Sequence, residues 1–379
     1  HNSSVQSCLV LVAPSANHVY ANQAPRLAAA ELALCCPQVR GAEPIVLAGV
    51  EYIALEIDDA EQPLAPAILR AVSRASATLA AFQREGELLR PIELPTTHVL
   101  DEDLVTIPKY RGKTNEQFTR LLLNVTLAGL SGAAAARRDQ GARLAVLDPM
   151  AGRGTTLQEA WLAGHNGYGV ELDVKAVEAL AAHMTTWLRH KRLKHTSRTH
   201  PVRRDGRVLG KKYEAELRLP SSEPLEMGVF TGDTRDSAKL WGRRKFDAVV
   251  VDAPYGVVHA ATSRPAAKGP DAKGGGKGTT ADKRHGGRDG RSSGRDRSPA
   301  QLLSESISVW ASQLRSGGAM GISWNTFGLA REDLLAMMAD AGLQPLDDDL
   351  HRKLDHRVDS SIHRDVAVAV RPRPDAPGS

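Results

Sequence analysis

Residues 147–160 read LDPMAGRGTTLQEA. They begin inside an apolar run, RLAVLDP (143–149), that suits a strand, with Asp148 at its carboxyl end. Gly152 and Gly154 permit a tight turn and let a ligand approach the backbone. A helix then starts at Thr155 or Thr156, TTLQEAWLAG (155–164), and closes on Gly164. Its first amides point back at the turn, an arrangement that receives anionic groups. Pro149 and Ala151 belong to the same turn. The glycines alone fit a plain strand-to-helix connection equally well, so the reading rests on what surrounds them.

Downstream, strands alternate with helices. GYGVELD (167–173) reads as a strand and VKAVEALAAHMTTWLRHK (174–191) as a helix. VFTGD (229–233) is a short strand. FDAVVVDAP (246–254) is a continuous apolar run, as expected of a central parallel strand buried on both faces. PAQLLSESISVWASQL (299–314) is a helix, GAMGISW (318–324) a strand and AREDLLAMMADAGL (330–343) a helix. Two last strands are expected near PLDDDLHRKL (345–354) and in RDVAVAV (364–370). This alternation over 105–372 predicts a doubly wound α/β sheet.

Each strand end carries an acid. Glu171, about twenty residues after the glycine turn, is placed to hydrogen-bond ribose hydroxyls, with Leu172 beside it. Asp173 suits the cap of the next helix. Asp233 with Thr234 ends the third strand, where a carboxylate reaches an adenine amino group; a helix cap explains Asp233 as well. The fourth strand runs into VVVDAPYGVV (249–258). Asp252 and the Ala253 carbonyl both accept hydrogen bonds from an exocyclic amine, Pro254 stiffens the turn, and Tyr255 offers a ring for a base to stack on.

Residues 1–104 form a separate pattern. SCLVLVAP (7–14) and EYIALEID (51–58) read as strands. APRLAAAELALC (24–35) and PAILRAVSRASATLAAF (66–82) read as helices, giving a small α/β domain, a candidate RNA-binding accessory. Two segments interrupt the larger domain. Residues 189–212 hold ten Lys or Arg against one Asp, a basic insertion. Residues 262–298 are Gly-rich with ten Lys or Arg and four Asp, and cannot bury enough surface to fold. The chain's formal charge is +5, so without that +6 loop the remainder is close to neutral.

Hydrophobic residues make up 42% of the chain, enough for an ordinary core. No apolar run reaches the ~18 residues of a membrane helix. Cys8, Cys35 and Cys36 show neither metal-ligand spacing nor a disulfide framework, and are expected to be reduced thiols in a cytoplasmic protein. No signal peptide is expected at the N-terminus.

The order DPMAGRGTT, GVELD, TGD and DAPYG resembles class I S-adenosylmethionine-dependent methyltransferases, in particular the amino-methylating branch with an Asp-Pro-Pro-Tyr signature. The resemblance implies a Rossmann-like seven-stranded sheet. It implies that Asp148, Pro149, Ala151, Gly152, Gly154, Thr155 and Thr156 hold the methionine part of the cofactor. Glu171 and Leu172 would hold its ribose, and Asp233 and Thr234 its adenine. Asp252, Ala253, Pro254 and Tyr255 correspond to the signature, with Ala253 where that branch usually has Pro. KYRGKTNEQFTRLLLNVTLAG (109–129) is similar to a helix of this branch that helps hold the cofactor's carboxylate, which makes Thr114 and Asn115 candidates. The tail HRVDSSIHRDVAVAV (356–370), with the N-terminal pattern, is similar to tRNA guanosine-N2 methyltransferases of the Trm-eleven/THUMP-associated group.

The implied activity is methylation of an exocyclic amine, foremost guanine N2 in tRNA. The alternatives are a DNA adenine-N6 or cytosine-N4 methyltransferase and a non-catalytic nucleotide-binding scaffold. DNA enzymes with this motif order usually append a sizeable target-recognition domain; here the insertion after DAPYG is low complexity and the given sequence ends soon after the last strand, so RNA is expected over DNA. No metal is required, because a methyl sulfonium is already a strong electrophile.

Overall fold

The computed structural model describes residues 6–15, 18–57, 64–110, 113–204, 207–220, 223–254 and 299–373. Tyr255 and the basic loop at 262–298 lie outside the described residues. The chain first forms β1 (Gln6–Val12), α1 (His18–Cys35), β2 (Val39–Leu47), β3 (Val50–Ile57), α2 (Pro66–Arg74), β4 (Thr78–Glu85) and β5 (Leu88–Ile92). It continues with α3 (Asp103–Thr106), α4 (Glu116–Ala128), α5 (Gly132–Asp139), β6 (Ala145–Asp148), α6 (Thr155–Leu162), β7 (Asn166–Glu171) and α7 (Val174–His190). Next come β8 (His195–Arg204), β9 (Arg207–Leu217), β10 (Leu225–Thr231), α8 (Ser237–Trp241) and β11 (Phe246–Asp252). The last elements are α9 (Pro299–Gln313), β12 (Leu314–Asn325), α10 (Arg331–Asp340), β13 (Gln344–Leu346), α11 (Asp349–Arg352), β14 (His356–Arg357) and β15 (His363–Val370).

The larger sheet runs β13-β15-β12-β11-β6-β7-β10-β9-β8, with β14 pairing β15. β10, β7, β6, β11 and β12 are mutually parallel, and β15 is antiparallel to β12. This is the expected Rossmann-like seven-stranded set, extended beyond β10 by a β9–β8 hairpin. The chain moves outward from β6 through β7 to β10, then returns to β11 on the other side of β6. The crevice at such a switch point lies beyond the carboxyl ends of β6 and β11. β11 is buried along almost its whole length, which explains its unbroken apolar run. Gly321 sits mid-strand in β12 because α4 crosses there: a Cβ on it would lie 1.8 Å from the Thr126 hydroxyl. Buried Trp161, Trp310 and Trp324 each donate their indole N–H, to the Glu226 carbonyl, the Thr234 hydroxyl and the Leu329 carbonyl.

The first sheet has the order β2-β3-β1-β4-β5, entirely antiparallel, and its β-α-β-β-α-β start is a split βαβ arrangement. It corrects three expectations. β2 and β5 had no assigned element; Pro44 and Pro91 sit in these two edge strands, where a missing donor is tolerated. The helix expected over 66–82 ends at Arg74, with Ala75 extended at φ −60°, ψ 143°. The Ala-rich remainder forms β4, because pairing with β1 outweighs its helix propensity. In the larger sheet, PLDDDLHRKL supplies only the three-residue β13; Asp348 then caps the single turn α11. The basic insertion at 189–212 contains the end of α7, all of β8 and the start of β9.

The two sheets meet along α1 and α4. Tyr20, Ala24 and Leu27 pack in one apolar cluster with Phe118, Leu121 and Val366. Among the described residues no helix is long and apolar enough to cross a membrane.

Candidate active site

β11, β6, β7 and β10 are four consecutive parallel strands, so their carboxyl ends share one edge of the sheet. Asp148 and Glu171 are terminal residues of β6 and β7, Asp252 is terminal in β11, and Asp233 is the second residue after β10. Asp148 is buried; its carboxylate accepts from the Met150 amide at 3.0 Å and from the Thr156 side chain. Burial above all, then the charges of Asp252 and Glu171, push its pKa up to about 7, against these two hydrogen bonds. Three carboxylates crowded at one edge favour a ligand that carries positive charge.

The glycine turn takes the shape its sequence requires. Gly152 has φ 52° and Gly154 φ 80°, left-handed values that favour glycine. A Cβ on Gly154 would strike Leu180 at 2.8 Å, whereas a Cβ on Gly152 would touch nothing within 4 Å. Space is therefore open over Gly152. Glu171 braces the turn: Oε2 accepts from the Gly152 amide and Oε1 from the Asp173 amide, both at 2.7 Å. A carboxylate has about four acceptor sites, so two remain for ribose hydroxyls. Leu172 beside it is 72% exposed, an apolar surface on which a flat ring can rest. Asp173 caps α7 through the Lys175 amide.

At the third strand, Asp233 caps the turn Thr234–Asp236 by accepting from the Arg235 amide at 2.9 Å, and its carboxylate pairs with the Arg235 guanidinium. The cap and the acid at the edge are thus one residue. Thr234 is buried, and its hydroxyl serves Trp310.

Asp252 ends β11 half-buried, and its Oδ2 accepts from the Thr114 hydroxyl at 2.6 Å. The Ala253 amide donates to the Ser323 carbonyl at 2.8 Å, which ties the residue after Asp252 to β12. Ala253 is buried and Pro254 exposed. Thr114 therefore stands against the acid of the fourth strand. Asn115 serves other partners: its Oδ1 caps α4 by accepting from the Phe118 amide, and its Nδ2 donates to the Ser15 hydroxyl of the first unit. That cap fixes Thr114 immediately before the helix. The tail motif supports the same helix, since the buried Arg364 lies with its guanidinium carbon 4.1 Å from the Phe118 ring centroid.

Two residues at the turn, Tyr110 and Arg153, were not among the expected site residues. Tyr110 OH lies 3.2 Å from the Thr155 hydroxyl, and the Arg153 guanidinium stacks 4.5 Å above the Tyr110 ring. The aromatic in KYRGKT, just before a polar helix start, is the one clue a sequence offers.

No protein-family model and no curated protein matches the chain. Solved structures do. TrmN from Thermus thermophilus is similar at 13% identity with a TM-score of 0.37, over 87% of this chain and 59% of that one. An RsmC 16S rRNA N2 methyltransferase of T. thermophilus, in complex with AdoMet and guanosine, is similar at 14% identity and TM-score 0.34, over 88% and 59%. Magnesium protoporphyrin IX methyltransferase from Synechocystis, with bound SAM, is similar at 14% and TM-score 0.33, over 69% and 86%. The chain thus spans about three-fifths of the length of the first two.

Proposed function

We propose that the chain is an S-adenosylmethionine-dependent methyltransferase acting on an exocyclic amine of a nucleic-acid base, with guanine N2 in tRNA as the favoured target. One observation carries the reading. Along one sheet edge the acids stand in the order Asp252, Asp148, Glu171 and Asp233, and the first two flank the switch point. Open space over Gly152, the spare acceptor capacity of Glu171 and the exposed Leu172 fit an amino-acid-bearing nucleoside. The α6 N-terminus and the crowded acids complement its carboxylate and its cationic centres.

The cofactor supplies an activated methyl group. The chain supplies alignment. Asp252, held by Thr114, and the Ala253 carbonyl accept the amine's N–H bonds, so that the nitrogen lone pair faces the methyl carbon. Bound there, the cofactor would offer a methyl electrophile with a neutral thioether as its leaving group. The amine then gives up its surplus proton to Asp252 or water. Tyr255 is assigned as the stacking platform for the extruded base.

The test is to incubate the protein with the cofactor and either tRNA or duplex DNA, then analyse nucleosides by mass spectrometry. N2-methylguanosine is expected in the tRNA. N6-methyladenine or N4-methylcytosine in the DNA instead would move the substrate to DNA. Asp252→Ala should keep cofactor affinity and lose transfer by roughly 10²-fold or more. Equal turnover by variant and parent rules the mechanism out.

A further inference from the structure

A cavity of about 460 Å³ lies between the two sheets, lined by α1, α2, α4, α5 and the end of α6. His165, just before β7, is in its wall, so it opens at the amino ends of the strands, opposite the edge that holds Asp148 and Asp252. A cavity of this size accommodates a small metabolite.

Its charges are unbalanced. Arg70, Arg74, Arg120 and Arg138 all line it. Three carboxylates share the wall, Glu31, Asp139 and Glu159, and they offset Arg120 and Arg138 but leave α2 unmatched. Glu31 accepts from the Ser76 amide and the Asn124 side chain, and Glu159 accepts from Arg120 at 3.0 Å through Oε2, its buried Oε1 having no partner among the described residues. Arg138 donates to the Leu127 carbonyl at 2.8 Å and pairs with Asp139 at the rim. Arg70 and Arg74 form no ion pair among the described residues, and Arg74 Nε is buried with no partner there. Burial first, then Arg70 and Arg138, hold the Arg74 guanidinium below its usual range. His165 responds in the same direction: burial, then Arg74 and Arg143, push it down to about 3. An unpaired buried N–H among like charges costs stability unless something anionic completes it.

We propose that this cavity binds a phosphate monoester, gripped by Arg70 and Arg74 from α2 and Arg138 from α5, with its organic body against Leu123 and Leu127 of α4. A dianionic phosphate matches convergent guanidiniums, which bind it through paired N–H donors. Because α2 belongs to the first sheet and α4 and α5 to the second, occupancy would tie the two units together. The site does not depend on whether the chain transfers methyl groups.

The full chain is the protein to test, by thermal shift and titration calorimetry. The probes are inorganic phosphate, ribose 5-phosphate, ribose, and an oligoribonucleotide with and without a 5′-phosphate. Phosphate and ribose 5-phosphate should raise Tm, and ribose should not. Arg74→Met should melt at or above the parent in phosphate-free buffer, because it removes an unpaired donor and a repulsion. It should also bind ribose 5-phosphate at least about tenfold more weakly. If Arg74→Met does not fold, the exposed Arg70→Met gives the same readout. Binding that requires both Arg74 and a 5′-phosphate on the oligonucleotide, without ribose 5-phosphate binding, identifies an RNA end as the source. No phosphate-dependent shift in the parent, or an undiminished shift in both variants, overturns the proposal.

Discussion

Asp148 shows how one side chain couples folding, pH and ligand. Its pKa rises from 3.8 to about 7 on folding, chiefly through burial. The folded state therefore holds this proton more tightly than the unfolded chain. The stabilisation is complete below pH 3.8 and is lost as pH rises to about 7, an upper bound of roughly 4 kcal/mol. Asp148→Asn should flatten the fall in urea midpoint across that window; an unchanged pH profile in the variant would place the dependence elsewhere. Bringing a cationic cofactor beside the acid should expel the proton. Calorimetry about one unit below that pKa, near pH 6, in buffers of different ionisation enthalpy, should register release approaching about one proton, and none in Asp148→Asn. Gly152 provides the matching steric test. Valine there meets no protein atom at its Cβ but has an unfavourable φ of 52°. Gly152→Val should cost about 1–2 kcal/mol in stability and abolish the cofactor-dependent rise in Tm.

Among elements, the β8–β9 hairpin is what most sets this sheet apart from a bare seven-stranded one. β9 pairs with β10 only as far as Lys212 opposite Phe230, yet the hairpin continues to Arg204 opposite Arg207. Thr231, the last residue of β10, still exchanges hydrogen bonds with Lys211, so the four residues of β9 from Arg207 to Gly210 run past β10 on the side of the acidic edge. At about 3.3 Å per residue the ribbon projects roughly 13 Å. Arg203 and Arg207 lie on this overhang. Arg203→Glu should weaken binding of the proposed tRNA substrate and reduce the salt slope by about 1, with cofactor affinity unchanged, as read by binding isotherms over a salt series. Equal slopes would show that the ribbon contacts no phosphates. The segment had no assigned element because HTSRTHPVRR lacks an apolar alternation; a ribbon beyond the sheet edge has little core to face. ASATLAAF misled for the opposite reason, since Ala favours helix locally while the β1 ladder decides its state.

At the scale of the whole molecule, a single buried carboxylate joins the two sheets. Glu31 of α1 accepts from the Ser76 amide in the first unit and from Asn124 of α4 in the second. Arg26 adds a hydrogen bond to the Lys353 carbonyl at 2.8 Å. Removing one donor leaves a buried charge short of a partner, so Asn124→Ala should cost about 1–3 kcal/mol. Calorimetric unfolding should then separate into two transitions, where the parent shows one. A single unshifted transition in the variant would mean that the apolar seam around Tyr20 and Leu121 suffices alone.

The local sequence was enough to determine the alternating strands and helices of the parallel core, β6 to β7 and β10 to β12, the glycine turn and the four acids at strand ends. Each depends on period, on positive-φ residues or on position within one strand, and neighbours in the chain set all three. That Glu171 braces Gly152, that Thr114 reaches Asp252 across 138 residues, and that Asp148 is driven toward neutrality was decided only by tertiary structure. Strand order brings those groups together, and burial then sets their charge. The same holds for the arginine-lined cavity: its residues come from α2, α4 and α5, which no sequence period links, and they meet because α1 packs on α4.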